Sequence, residues 1–116
     1  MKHHLKRQIE ALEMIEKRMD YEALENLLDD AESTVRRGNK IIATALGKNV
    51  PICEKFVGTL ISLGIDAFFL HTNSAVHGDL GAVKDGDLVI ILSKSGETSE
   101  SVYLYEQLKM RNVTVW

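Results

Sequence analysis

Three hydroxyl side chains fall within six residues near the C-terminus, in the segment Ser93-Lys94-Ser95-Gly96-Glu97-Thr98. This segment follows an apolar run and precedes a helical pattern from about residue 98 to residue 110. Hydroxyls and free backbone N–H groups at a helix N-terminus form an anion site, which the helix dipole strengthens. Gly96 lets the backbone approach a phosphate closely. The segment therefore indicates a phosphate site, and the alternative is an ordinary helix cap with spare serines.

Lys48 lies in a second candidate loop, Gly47-Lys48-Asn49. From there its ammonium could reach a phosphate or polarise a carbonyl, whereas a loop lysine is more commonly only solvated. The surrounding residues do not match the Gly-x-x-x-x-Gly-Lys-Ser/Thr pattern, so this is not a nucleotide P-loop.

Two histidines and two acids complete the candidate set. His71 and His77 could serve as a general base or as metal ligands, but two histidines six residues apart give no recognised zinc spacing. Glu97 and Glu100 fall in the first turn of the last helix, where the helix dipole favours acids in any case. The functional interpretation makes one of them a general base beside a bound sugar.

Strands alternate with helices from residue 38 onward. Short apolar runs predict four strands, and helical spacing predicts the segments between most of them; the runs are 40–46, 67–70, 88–92 and 113–116. A loop rich in His, Ser and Gly is expected from His71 to about Gly81. This order predicts an α/β fold with a parallel sheet covered on both faces, in which ligands bind beyond the carboxyl ends of the strands.

Residues 1–37 carry the spacing of an amphipathic helix instead. Asp20 is a suitable cap for a second helix, so we expect two helices that meet near residue 20, with one long helix as the alternative. Gly38 supplies a left-handed stop. The expected organisation is a helical segment over 1–37 and an α/β domain over 38–116.

Composition excludes several classes of protein. A chain of 116 residues suits one domain, and its net charge of -3 gives no sign of a nucleic-acid or anionic-membrane partner. Cys53 is the only cysteine, so an internal disulfide is impossible. No apolar run is long enough to span a bilayer, and a cytoplasmic location is the default expectation.

Three motifs together resemble the sugar isomerase (SIS) family, and within it the arabinose-5-phosphate isomerase branch. They are His77-Gly78-Asp79-Leu80-Gly81, Asp87-Leu88-Val89-Ile90 and Ser93-x-Ser95-Gly96-Glu97-Thr98-x-Glu100. The resemblance implies a flavodoxin-like, three-layer αβα fold. It also implies that the protein interconverts an aldose phosphate and a ketose phosphate by proton transfer through an enediol.

The resemblance also implies roles for individual residues. Lys48 and Glu100 match catalytic positions, and His77 matches a position that contacts substrate. His71 matches a position that binds zinc in an inhibitory way, so no required cofactor is expected. The remaining matches are to phosphate-binding hydroxyls, at Ser93, Ser95 and Thr98, and to a segment near substrate, at Gly64 and Ile65.

The chain departs from the family pattern in three respects. Around Lys48 it has Ala45-Leu46-Gly47-Lys48-Asn49-Val50, where the family has approximately Gly-x-Gly-Lys-Ser-Gly. Lys94 stands where many members have a neutral residue. Family domains have five strands, with further catalytic residues after the fourth, whereas this chain reaches Trp116 inside the fourth. We therefore expect an incomplete C-terminal half, sugar-phosphate binding with little or no turnover, and self-association into a homo-oligomer.

Two other functions remain open from the sequence. A non-catalytic SIS module that senses a sugar phosphate would need binding alone, and the altered lysine loop favours it. A helical interaction module would need only the amphipathic face of residues 1–37.

Overall fold

The protein is built on one sheet of parallel strands: β1 (Ile41–Ala45), β2 (Ala67–His71), β3 (Leu88–Ile91) and β4 (Thr114–Val115). A computed structural model describes all residues from Met1 to Trp116. The strand order in the sheet is β2-β1-β3-β4, so the chain reverses direction across the sheet between β2 and β3. This is the flavodoxin-like order, and it confirms the predicted fold class.

Five α-helices and two 3-10 turns connect and flank the strands. The helices are α1 (Lys2–Arg18), α2 (Tyr21–Arg36), α3 (Val50–Ser62), α4 (Thr72–Val76) and α5 (Ser99–Lys109). The 3-10 turns cover Gly47–Asn49 and Asp79–Ala82. None of the helices is both long and apolar enough to cross a membrane.

Alternating side chains of the strands form two separate cores. Ile41, Ala43 and Ala45 of β1 face one core, to which α3 contributes Cys53 and Val57. The second core, on the other face of the sheet, contains residues from α4, β3 and α5, namely Ala75, Val89, Leu104 and Leu108, and also Ile42 of β1. Because β1 is buried on both faces, it carries an apolar run without polar alternation. The three layers are thus α2 and α3, the sheet, and α4 and α5.

The prediction of a loop from His71 to about Gly81 is wrong, because a short helix, α4, lies within this segment. Thr72 and Ala75 of α4 are buried against the sheet. The imidazole of His71 caps this helix, since its Nδ1 accepts a hydrogen bond from the N–H of Asn73 at 3.1 Å. Five residues are too few to show helical periodicity, so only tertiary packing reveals the helix.

The N-terminal region forms two helices that meet at residues 19 and 20, as predicted. The Asp20 carboxylate accepts a hydrogen bond from the N–H of Ala23 at 3.0 Å and caps α2. After α2, Gly38 adopts a φ of 80°, the left-handed conformation expected of it. α1 has no buried residue, and it leaves an apolar stripe exposed at Leu5, Ile9, Leu12, Ile15 and Met19.

Candidate phosphate site at the carboxyl edge of the sheet

Three segments leave the carboxyl ends of neighbouring strands and approach one another. The 3-10 turn with Lys48 follows β1, α4 follows β2, and the segment 92–98 follows β3. Since β1 lies between β2 and β3, the turn after β1 is flanked by the other two segments. The fold therefore brings the chemistry-bearing residues of separate motifs to one edge of the sheet.

The segment from Ser93 to Thr98 is folded by its own serines. The N–H of Gly96 donates to Ser93 Oγ at 3.0 Å, and the N–H of Glu97 donates to Ser95 Oγ at 3.1 Å. Gly96 has a φ of 69°, a conformation that side chains disfavour. Each serine oxygen acts as an acceptor in these bonds, so each hydroxyl hydrogen stays free to donate to a ligand.

The first turn of α5 also has unused donors. Its N-cap, Thr98, makes no capping bond with its side chain, and the first N–H that bonds within the helix is that of Val102, to the Thr98 carbonyl at 2.9 Å. The three preceding N–H groups have no partner in the chain, as is usual for a helix start. They add to the hydroxyl donors and to the positive end of the helix dipole.

A cleft of about 200 Å³ lies between this segment and the end of β1. Its lining comes from both sides: Leu46 and Asn49 from the β1 side, and Leu92, Ser93, Lys94, Ser95, Thr98 and Ser101 from the other. The three hydroxyls predicted to bind phosphate thus line one cleft, together with the positively charged side chain of Lys94. We call it the phosphate-loop cleft.

Lys48 lies at this edge of the sheet but does not line the phosphate-loop cleft. It is exposed on the 3-10 turn, and it forms no ion pair. Its neighbour Asn49 lines the cleft instead.

His77 and Glu100 line a second hollow, of about 540 Å³, on the side of α4 and α5. Asn73, Val76, Ser99 and Tyr103 complete this hollow. Ser99 Oγ donates to the Glu100 carboxylate at 3.1 Å. An imidazole and a carboxylate in one hollow, one turn from a phosphate site, can exchange protons with a small polar ligand.

A buried hydrogen bond holds α4 beside β1. The hydroxyls of Thr44 and Thr72 lie 2.8 Å apart, and both residues are completely buried. This bond fixes the start of α4 relative to the carboxyl edge. It thereby helps to set the position of His77 at the other end of that helix.

His71 lacks the surroundings of a metal ligand. No group of three or more His, Cys, Asp or Glu side chains in the chain is arranged to hold a metal ion. In addition, Nδ1 of His71 accepts the N–H of Asn73, so a neutral imidazole carries its proton on Nε2. The residues present therefore do not fit a zinc site in the single chain.

Gly64 and Ile65 lie far from the other candidates. They follow α3 and precede β2, which places them at the amino edge of the sheet, opposite the phosphate-loop cleft. Ile65 packs against the core on the α3 face. The fold of one chain does not bring these two residues into the candidate site.

Ser101 is the site residue that sequence reasoning missed. It occupies the first turn of α5, and serine within a helix pattern drew no attention. The spacing held a signal, because Thr98 and Ser101 are three residues apart and so share one face of the helix start.

A family model described as the SIS domain matches residues 34–116. This covers the sheet, the candidate site and the end of α2.

Curated relatives are similar over most of the chain. The arabinose 5-phosphate isomerase KpsF of Escherichia coli is 36% identical over 108 residues, which cover 90% of this chain and 31% of that protein. The arabinose 5-phosphate isomerase KdsD of Salmonella typhi is 42% identical over 74 residues, covering 64% of this chain and 23% of that protein. The chain thus spans only about a third, or less, of the length of these relatives.

Solved structures are similar in fold. A protein of E. coli CFT073 in complex with arabinose 5-phosphate superposes with a TM-score of 0.85 at 32% identity, covering 98% of this chain and 58% of that one. Phosphoheptose isomerase GmhA from Neisseria gonorrhoeae has a TM-score of 0.75 at 16% identity, covering 98% of this chain and 70% of that one. The second likeness concerns the fold alone.

Proposed function

Because the chain belongs to the SIS domain family, we propose that it binds a sugar phosphate in the phosphate-loop cleft and that the activity it serves is aldose–ketose isomerisation of the arabinose 5-phosphate type. The observation that carries this proposal is the set of hydroxyls at Ser93, Ser95 and Thr98 beside unused N–H donors. Only a ligand with several acceptor oxygens can use all of these donors together, and a phosphate has them.

The proposed chemistry assigns the hollow beside the cleft to the sugar. Isomerisation moves a proton between adjacent carbons, which needs a base and a group that stabilises the oxyanion of the enediol. Glu100 is the proposed base, and His77, which lines the same hollow, is the proposed contact to a sugar hydroxyl. Lys48, which lies on the 3-10 turn at the same edge of the sheet, is the proposed electrophile.

A second candidate is a module that senses a sugar phosphate without converting it. The position of Lys48, exposed and outside the lining of the cleft, favours this candidate. The hollow that contains both His77 and Glu100 favours catalysis. If incubation of the chain with arabinose 5-phosphate yields the ketose phosphate, the sensing module is excluded. Absence of product is expected for both candidates, because little or no turnover is expected of this chain.

Thermal unfolding with and without millimolar arabinose 5-phosphate tests the binding proposal. A ligand at a hundred times its dissociation constant stabilises the folded state by roughly 2.7 kcal/mol, so the melting temperature is expected to rise. Ser95→Ala removes a hydroxyl that lines the cleft, and the rise is expected to shrink or disappear.

The matched control is Ser33→Ala, on the exposed surface of α2 and away from the cleft. It is expected to keep the full rise in melting temperature. Cooperative melting of the wild-type chain with no rise at any ligand concentration contradicts the proposed function.

We also propose self-association, which the sequence predicts, and we assign it to α1. Most of the stability of a helix in a protein comes from packing of its apolar face, and α1 buries no residue, so its apolar stripe needs a cover. In a second copy of the chain, α2 can cover this stripe, because its net charge is opposite to that of α1. α1 has five basic and three acidic side chains, a net charge of +2, whereas α2 has five acidic and one basic, a net charge of -4.

Sedimentation velocity of the chain with Leu12→Glu tests this self-association. Leu12 is 65% exposed in the single chain, so the change leaves the folded monomer intact but places a charge in the stripe. The oligomer is expected to dissociate to monomers. An oligomer that survives this change, and also survives removal of residues 1–37, excludes α1 as the interface and the helical interaction module with it.

A further inference from the structure

We infer that Ser101 is an additional ligand of the bound phosphate, which adds a fourth side-chain hydroxyl to the phosphate-loop cleft. The inference rests on the proposed function, because it names a residue for the same cleft. Ser101 lies outside the loop from Ser93 to Thr98, on the first turn of α5.

Burial and hydrogen bonding single out this serine. Ser101 is only 6% exposed, yet its hydroxyl makes no hydrogen bond within the chain. Every fully enclosed side-chain nitrogen or oxygen in the protein does have a hydrogen-bond partner. The Oγ of Ser101 is therefore not fully enclosed, and the small accessible part of this residue opens into the space that it lines.

That space is the phosphate-loop cleft. Ser101 lines it together with Ser93, Ser95 and Thr98. It also lines a second cavity, of about 210 Å³, with Ser93 and Gly96, so it borders the loop in both spaces. A ligand oxygen seated against the loop is thus within the space that the Ser101 hydroxyl faces.

Ser101 lacks the hydrogen bond that hydroxyl side chains in helices often make. A helical serine ordinarily donates back to a carbonyl in the preceding turn, as Thr34 donates to the Asp30 carbonyl at 2.7 Å in α2. Ser101 makes no such bond, so its hydrogen is free to donate. A poorly hydrated hydroxyl without a partner is costly, and a phosphate oxygen removes that cost by accepting the bond.

Isothermal titration calorimetry of the full chain tests the inference, with arabinose 5-phosphate and inorganic phosphate as two separate probes. Ser101→Ala is expected to raise the Kd of both probes by a similar factor, about 10-fold, because a hydrogen bond to a charged group is lost. Alanine is a better helix former than serine, so the variant is expected to fold. Ser33→Ala is the control, and Ser101→Thr, which keeps the hydroxyl, is expected to restore much of the affinity.

Each other outcome overturns the inference. Unchanged affinity for both probes in Ser101→Ala means that the hydroxyl does not touch the phosphate. Loss of affinity for arabinose 5-phosphate alone assigns Ser101 to the sugar. A fall in melting temperature without ligand, at unchanged Kd, assigns it a structural role. Wild-type chain that binds neither probe refutes the proposed function, and the inference fails with it, whereas the first three outcomes leave the proposed function standing.

Discussion

Asp87→Ala is expected to lower the free energy of unfolding by about 3–5 kcal/mol, the cost of breaking a buried charge pair by removing one partner. Asp87 is completely buried at the start of β3, at the amino edge of the sheet. Its carboxylate forms an ion pair with Lys40 Nζ at 3.0 Å. Such a loss is a large fraction of the roughly 5–15 kcal/mol that stabilises an ordinary domain.

The carboxylate joins the start of β1 to the turn before β3, two segments that are distant in sequence. It accepts the N–H of Lys40 at 3.0 Å and the N–H of Lys84 at 2.8 Å, and it accepts the side-chain amide of Asn39 at 3.3 Å. Asn39 also donates to the Asp85 carbonyl at 2.9 Å. Removal of the carboxylate therefore leaves several donors without an acceptor at the point where β1 and β3 begin.

The neighbouring turn is shaped to this arrangement. Gly86 has a φ of 90°, and a Cβ there would lie 2.6 Å from Asn39 Oδ1. Only glycine allows the turn to approach Asn39 so closely. This explains the Asp85-Gly86-Asp87 sequence as a structural motif, with no part in the candidate site at the opposite edge.

The contribution of Asp87 is expected to depend on pH. Burial by itself raises the pKa of the Asp87 carboxyl, but hydrogen bonds from Lys40, Lys84 and Asn39 outweigh burial and hold the pKa below its usual value. A carboxyl with a lowered pKa in the folded state stabilises the protein fully above its unfolded-state pKa, about 3.9, and loses that effect as the pH falls toward the lowered value.

Urea denaturation of wild type and Asp87→Asn between about pH 3 and pH 7 measures this dependence, in roughly half-unit steps that bracket the aspartate pKa. The difference in unfolding free energy is expected to be largest near neutral pH and to shrink below about pH 4. Asp85→Asn is the control, because Asp85 is exposed and two residues away. A difference that stays constant down to the lowest pH contradicts the assignment of the effect to the Asp87 charge.

The sequence predicts those parts of the fold that local pattern determines. β1 and β3 are short apolar runs between turn residues, and they were recognisable because both of their faces are buried. The cap at Asp20 and the stop at Gly38 follow from the conformations that these residue types favour. These features depend on neighbours in sequence, so they need no tertiary information.

The features that the sequence did not reveal depend on contacts across the fold. α4 is held by a buried hydroxyl partner on β1. Ser101 differs from the helical residues Ser33 and Ser74 in being buried, and burial depends on the tertiary fold. The position of Lys48 at the carboxyl edge was predictable, but its absence from the lining of the cleft was not. Gly64 and Ile65 matched a family segment, but they precede β2 and therefore lie at the amino edge of the sheet, opposite the cleft.

The hydroxyls of Thr44 and Thr72 are expected to show a strong non-additive effect on stability. They hydrogen-bond to each other at 2.8 Å, and neither residue is exposed. Thr44→Val replaces one hydroxyl with a methyl group of similar size and leaves the Thr72 hydroxyl buried without a partner. The expected loss is about 1–3 kcal/mol, and Thr72→Val is expected to behave in the same way.

The double variant Thr44→Val/Thr72→Val removes both polar groups, so no hydroxyl is left unpaired. Its stability is expected to be close to that of the wild type, because replacing both partners by apolar groups of the same shape is nearly neutral. Chemical denaturation of the four proteins gives the coupling energy as the departure from additivity. Thr59→Val, at an exposed site on α3, is the control. If the two single losses simply add in the double variant, then the hydroxyl pair is not what holds α4, and with it His77, beside the end of β1.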